Sequence, residues 1–294
     1  MKIVRAARKH ITEIIIFVLG IVSIHLIFFF SDAFSETKEI GQQSAGLFGD
    51  FVGGYFGTFF ALCSALLLYS TLRNQKESTE RISFETKFFE LLRLHRENVA
   101  EIKVQKITGR RFFLKAWKEY RAAFDVFTQS KPMDGIDRSK NECLIAAYYC
   151  LFYGVDKNSH EMLANHIKDG CSHNDFEVLL FMMESDDGKE VIKNRINLSY
   201  KPFEGHQSRL GHYYRHLYQT IKFIDSQKSL SQEEKYSYAK LLRAQLSNHE
   251  QALLLINSLT PIGENWIKND YLRKYKFVKN IPRDFFHPKN ENDL

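Results

Sequence analysis

Two runs of apolar residues, 11–30 and 51–72, precede a long remainder in which apolar positions recur every three or four residues. The first run holds one acid, Glu13, and one histidine, His25, and the second holds no charge. Each is long enough to cross a bilayer core of roughly 30 Å at about 1.5 Å of rise per residue. In the remainder, Phe84, Phe88, Leu91, Leu92, His95 and Val99 fall on one helical face, and the spacing predicts a long helix over 71–106 whose proximal part is a polar stalk. Phe112, Phe113, Ala116, Trp117, Tyr120 and Phe124 mark a second helix after Gly109. Residues 131–135 read as a turn, and further helices are expected over 139–153, 159–168, 174–184, 210–225, 231–259 and 265–274. Ser231-Gln232-Glu233-Glu234 forms a capping box at the start of 231–259, whereas 186–206 is the least regular stretch. With almost no alternating pattern, the chain is expected to be all-α: an N-terminal two-helix transmembrane hairpin (1–72), a stalk helix (73–105), an α-helical cytoplasmic domain (106–281) and a polar tail (282–294).

Charge sets the orientation. Lys2, Arg5, Arg8 and Lys9 precede the first run; Asp32, Glu36, Glu39 and Asp50 face a single Lys38 between the runs; Arg73, Lys76 and Arg81 come after the second. Basic outer flanks around an acidic loop place both termini in the cytoplasm. The first run is longer than a signal-peptide core and ends Phe28-Phe29-Phe30-Ser31-Asp32, without a small-x-small cleavage site, so an uncleaved hairpin is expected. A net charge of +6 over 294 residues fits an ordinary basic domain beside an anionic leaflet, and no direct nucleic-acid binding is expected. The four cysteines form no CxxC pair, which argues against a disulfide framework or a zinc ribbon.

Small residues recur every fourth position through the second run: Gly49, Gly53, Gly57, Ala61 and Ala65. On a helix they draw a near-continuous stripe, which in lipid lets backbones approach and pack. The stripe serves either self-association or packing of the two hairpin helices on each other. Asp50 stands at its outer mouth, and Glu13 and His25 are further polar positions of the spans.

Four blocks carry a resemblance. They are Phe48-Gly49-Asp50-Phe51-Val52-Gly53-Gly54, Phe84-Glu85-Thr86-Lys87-Phe88-Phe89-Glu90-Leu91-Leu92-Arg93-Leu94-His95, Gly211-His212-Tyr213-Tyr214-Arg215-His216-Leu217-Tyr218 and Arg243-Ala244-Gln245-Leu246-Ser247-Asn248-His249-Glu250. Together they resemble the membrane-anchored phage abortive-infection family of bacteria, of the AbiC type, over residues 48–280. Two-helix membrane effectors encoded beside retron reverse transcriptases are similar in layout. The resemblance implies antiphage defence, with a lipid bilayer, further copies of the chain and a reverse transcriptase–RNA complex or another defence component as partners. It also singles out Asp50, His95, Arg215, His216, Arg243, Ser247 and Glu250 as the polar residues of the blocks.

Catalytic chemistry has one foothold. Arg243 and His249 have the R-x5-H spacing of HEPN-type ribonucleases, where histidine moves a proton and arginine steadies phosphate charge. Against it, alanine comes directly after Arg243, where such nucleases favour a polar residue, and the block closes on Ser247 and Glu250. The structural alternative sets Arg215 and Arg243 on neighbouring helices with Glu250 or Glu204 as partner, Arg243 and Glu250 sharing a helix face, where such arginines fix helix register or bind an acidic ligand or partner. His212 and His216 at i, i+4, and the looser set His160, His166, Cys171 and His173, fit no metal template. No phosphate-binding lysine loop, nucleophile elbow or dinucleotide glycine turn is present, so neither cofactor nor metal is expected. The leading expectation is a non-enzymatic toxic effector that damages or depolarises the inner membrane. The alternatives are a membrane-tethered ribonuclease and a non-toxic scaffold or regulator.

Overall fold

The helical spacing of apolar positions carries through to nearly all of the described structure. In the computed structural model the described residues are 15, 18–24, 26, 30, 42–129, 139–156, 180–279, 281–282 and 285. They fall into two units, Met1–Ile82 and Ser83–Leu294.

In the first unit, α1 (Gln42–Phe51) leads through a π turn (Val52–Phe56) into α2 (Gly57–Glu101), which extends into the second unit. The continuous stretch Ala45–Glu101 is long and apolar enough to cross a membrane, with a mean hydropathy of 1.8 in its most apolar 18 residues and none of that window buried. It contains the expected second span. Half of the expected first span lies outside the described residues, as do Glu13 and His25. Within it, residues 18–24 are helical, and Gly20 approaches Phe60 closely enough that a Cβ there would sit 3.1 Å from the ring. The π turn revises the small-residue stripe. Gly57 donates its N–H to Val52 O, five residues back. The extra residue rotates the downstream helix by about 100° relative to a regular one. Gly49 and Gly53 are therefore out of line with Gly57, Ala61 and Ala65, so the stripe is stepped, not continuous.

The second unit is built around the distal face of α2, where Phe84, Phe88, Leu92, His95 and Val99 are buried as the spacing predicts. The helix ends at Glu101, short of the expected 106. There a tight hairpin pairs β1 (Lys103–Val104) with β2 (Ile107–Thr108), turned through Gln105 at φ 51°. Gly109, at φ 61°, returns its N–H to Ile102 O at 2.9 Å and launches α3 (Arg110–Gln129). Phe112, Phe113, Ala116, Trp117 and Tyr120 point into the core, mostly against α4 (Lys140–Tyr153). A capping box of Ser139 and Glu142 starts α4, satisfying two of the N–H groups a helix start leaves orphaned.

The stretch 186–206 is more ordered than its composition suggests. Ser185 caps α5 (Asp186–Arg195), whose first turn carries Asp186 and Asp187 and whose last carries Lys193 and Arg195, both favourable to the helix dipole. After α6 (Gln207–Asp225) comes the main departure from expectation. The single helix expected over 231–259 is two: α7 (Gln232–Arg243), capped by Ser231 and Glu234, and α8 (Asn248–Ser258), capped by Ser247 and Glu250. Ser247 with Glu250 three residues on is a second capping box, and it takes over the backbone groups a continuous helix would have used. The expected helix over 265–274 is likewise split, into α9 (Asn265–Lys268) and α10 (Tyr271–Lys274), by Asp270 in the left-handed region at φ 56°. The helix expected over 159–168, the turn 131–135, the His160, His166, Cys171 and His173 set, and most of the tail lie outside the described residues.

Candidate functional site

The break between α7 and α8 rearranges the candidate residues. Arg243 and Glu250 do not share a helix face, and among the described residues Arg243 pairs with no carboxylate. Its guanidinium is buried and donates from Nη1 to the carbonyls of Lys276, at 2.7 Å, and Tyr275, at 3.3 Å. These are carbonyls at the C-terminus of α10, where a cation is favourable. His249 sits one helix further on, its ring 5.1 Å from Phe285, and burial with the nearby Lys118 lowers its affinity for protons. The R-x5-H pair thus spans a helix–helix corner, with its arginine already engaged by backbone. Arg215 is exposed on α6 and bonds back to Gly211 O at 3.1 Å, so among the described residues it too is without the carboxylate partner expected of it.

Other residues of the blocks do converge. His216 on α6 donates from Nε2 to Leu91 O on α2 at 3.0 Å, and its ring lies 6.0 Å from that of His95, inclined by 19°. His95 is 1% exposed, and neither ring nitrogen has a hydrogen-bond partner among the described residues. Burial, with His216 and Arg110 nearby, pushes it down to about 4, so the ring is neutral at physiological pH. Tyr213, 5.4 Å from the His95 ring, donates its hydroxyl to Glu250 Oε1 at 3.1 Å, and burial pushes that phenol well above its usual range. Glu250 is fully buried; Oε2 accepts the Ser247 N–H at 2.7 Å and lies 3.9 Å from Arg110 Nε. Arg110 also donates to Gln245 O at 2.6 Å, closing the α7–α8 corner. His95, His216, Ser247 and Glu250 are therefore members of one buried network joined through Tyr213.

A second buried network lies outside the four blocks. Glu119 on α3 is fully buried and accepts three hydrogen bonds: Tyr200 Oη at 2.7 Å, Phe203 N–H at 2.7 Å and His206 Nε2 at 3.0 Å. Arg209 Nη1 faces the other ring nitrogen of His206, Nδ1, at 3.5 Å. The segment that presents these groups is tightly held. Gly154 and Gly205 have φ of 89° and 83°, and a Cβ on Gly205 would fall 2.6 Å from Tyr153 O. Phe203 itself adopts φ 59°, a conformation rare for a bulky residue. The sequence does carry a signal for Glu119: it falls with Phe112, Ala116 and Ala123 on the apolar stripe of α3, where a carboxylate must find partners.

Asp50 is exposed on α1, and among the described residues a Cβ on Gly49 or Gly53 would meet nothing within 4 Å. Among the described residues, no three histidine, cysteine or carboxylate side chains are grouped to hold a metal. His212 is exposed, whereas His216 is committed to Leu91, so the two do not act as a pair.

Residues 205–286, which run from Gly205 through α6–α10, match the model of the family described as "putative phage abortive infection protein". The match takes in Arg215, His216, Arg243, Ser247 and Glu250; His95, Glu119 and the apolar helix lie outside it. No curated protein and no solved structure matches the chain. Over that C-terminal stretch the chain is similar to the AbiC-like abortive-infection family, and this similarity points to a role in antiphage defence.

Proposed function

We propose that the chain is the membrane effector of a bacterial antiphage system of abortive-infection or retron type. It is held in the inner membrane by two spans with both termini cytoplasmic. Once triggered, it self-associates and damages or depolarises the membrane, and it needs no enzymatic activity of its own. A defence-system partner, such as a reverse transcriptase–RNA complex, holds it silent until infection.

One observation carries this reading: the most apolar 18 residues of Ala45–Glu101 are wholly unburied, while the second unit has a dense core of its own. Leu62, Leu66, Leu67, Leu68 and Tyr69 are all exposed, and only a bilayer or other copies would remove them from water. Charge supports the orientation, with Arg73, Lys76 and Arg81 just past the apolar stretch. The approach of Gly20 to Phe60 is what a hairpin of two spans requires. Open space at Gly49 and Gly53 leaves that face to another copy. The ribonuclease alternative gains nothing comparable, because the Arg243 guanidinium is taken up by Tyr275 and Lys276.

The test is the double substitution Gly53→Leu, Gly57→Leu. Among the described residues the nearest atom to a Cβ at either position is Val52 O, 3.9 Å from Gly57. Membrane insertion should persist and toxicity in infected cells should disappear. Because the two positions fall on either side of the step in the stripe, unchanged toxicity refutes assembly through both small-residue faces.

A further inference from the structure

A half-open cavity of about 400 Å³ lies between α4, α6, α8 and α9. Its volume is in the range of small-molecule sites. Its lining is chemically one-sided. Among the described residues Arg215 is the only charged member of the wall, and no carboxylate joins it. Gln207, Gln219, Asn257 and Asn265 supply amide donors and acceptors, and Tyr153, Tyr218 and Trp266 supply aromatic surface.

Neighbours hold several of these groups in place. The Nε of Arg215 is tied to Gly211 O at 3.1 Å, which aims the guanidinium without using its two terminal nitrogens. Tyr218 is held from outside the wall by Asn269 Nδ2 at 3.1 Å on its hydroxyl, and its ring meets Trp266 edge-on and Tyr271 at a 46° tilt, each at 5.8 Å. Asn257 is fixed by Tyr148 at 2.8 Å. Gly211 completes the floor, and a Cβ there would meet only Phe152, at 3.7 Å.

A fixed cation beside aromatic faces and amides recognises a planar, hydrogen-bonding ring that carries a negative group. The guanidinium fork matches phosphate oxygens in particular. We infer that this cavity is a nucleotide site, with the phosphate on Arg215, the base against the Tyr218 ring and the base edge read by Gln219. This site is independent of how the chain acts on a membrane, since all its elements lie in the second unit.

The test is calorimetric titration of the full chain in detergent with AMP, GMP, CMP and UMP. The parent nucleosides and inorganic phosphate serve as controls, and each ligand is taken to about 1 mM, the weak end of specific affinity. At least one nucleotide should bind, with its nucleoside and free phosphate each at least about tenfold weaker. Arg215→Gln, an exposed change, should weaken that nucleotide at least about tenfold and leave nucleoside binding alone. Gly211→Leu, which fills the floor, should abolish binding with an unchanged melting transition. No binding by any of the four nucleotides, or binding indifferent to both substitutions, overturns the assignment.

Discussion

His216 lies over His95 with ring centroids 6.0 Å apart and planes inclined by 19°, and among the described residues only one of the two has a hydrogen bond from its ring. His216 is anchored on Leu91 O; His95 is buried with both nitrogens unpaired and a proton affinity pushed down to about 4. An unfolded histidine titrates near 6.5. The folded state is therefore fully favoured above that value. As pH falls from about 6.5 towards 4, the unfolded chain takes up the proton first and stability is lost, by up to about 3 kcal/mol from this residue. Denaturant titrations of the detergent-solubilised chain at pH 7 and pH 4.5 should show the loss. In His95→Leu the difference between the two pH values should shrink by about that amount.

Glu119 carries three buried hydrogen bonds from Tyr200, Phe203 and His206. Removing it leaves those donors facing nothing, so Glu119→Ala should cost about 3–5 kcal/mol. Thermal melting checks this, and a loss under about 1 kcal/mol would mean the network is open to water.

Ser247 should behave more mildly. Its hydroxyl accepts the Glu250 N–H at the start of α8, so Ser247→Ala is expected to cost about 1 kcal/mol. Glu250→Ala should cost clearly more, because it also strands the Tyr213 hydroxyl and the Ser247 N–H. Chemical denaturation of the two variants side by side gives the ranking.

Gly205 combines a left-handed backbone with no room for a side chain. A methyl group there would lie 2.6 Å from Tyr153 O and 2.8 Å from its carbon, at a φ of 83°. Gly205→Ala should prevent a native near-ultraviolet circular dichroism signal at 37 °C, whereas Gly211→Ala, with 3.7 Å to Phe152, should retain it.

Much of this is legible in the sequence and some is not, for separable reasons. The apolar stretch, the buried face of α2 and the core of α3 arise from periodicity, which is a local property. The corner at 244–247 is also written locally, as Ser247 with Glu250, but apolar spacing running through it favours one long helix. Glu119 shows the converse: its place on the α3 stripe is local, while its partners lie 81 or more residues away. The cavity around Arg215 has no local signature at all, since its wall is assembled from α4, α6, α9, a single residue of α8 and the turn at 262–263. The π turn at Val52–Phe56 is a backbone choice that glycine permits and spacing does not announce.

The measurement closest to the central claim is membrane potential, tracked with a voltage-sensitive dye in phage-infected cells carrying the intact system, with total RNA collected in parallel. The account predicts depolarisation before any RNA cleavage, abolished by Gly53→Leu with Gly57→Leu and indifferent to His249→Ala. Fragmented RNA in cells that still hold their potential would contradict it.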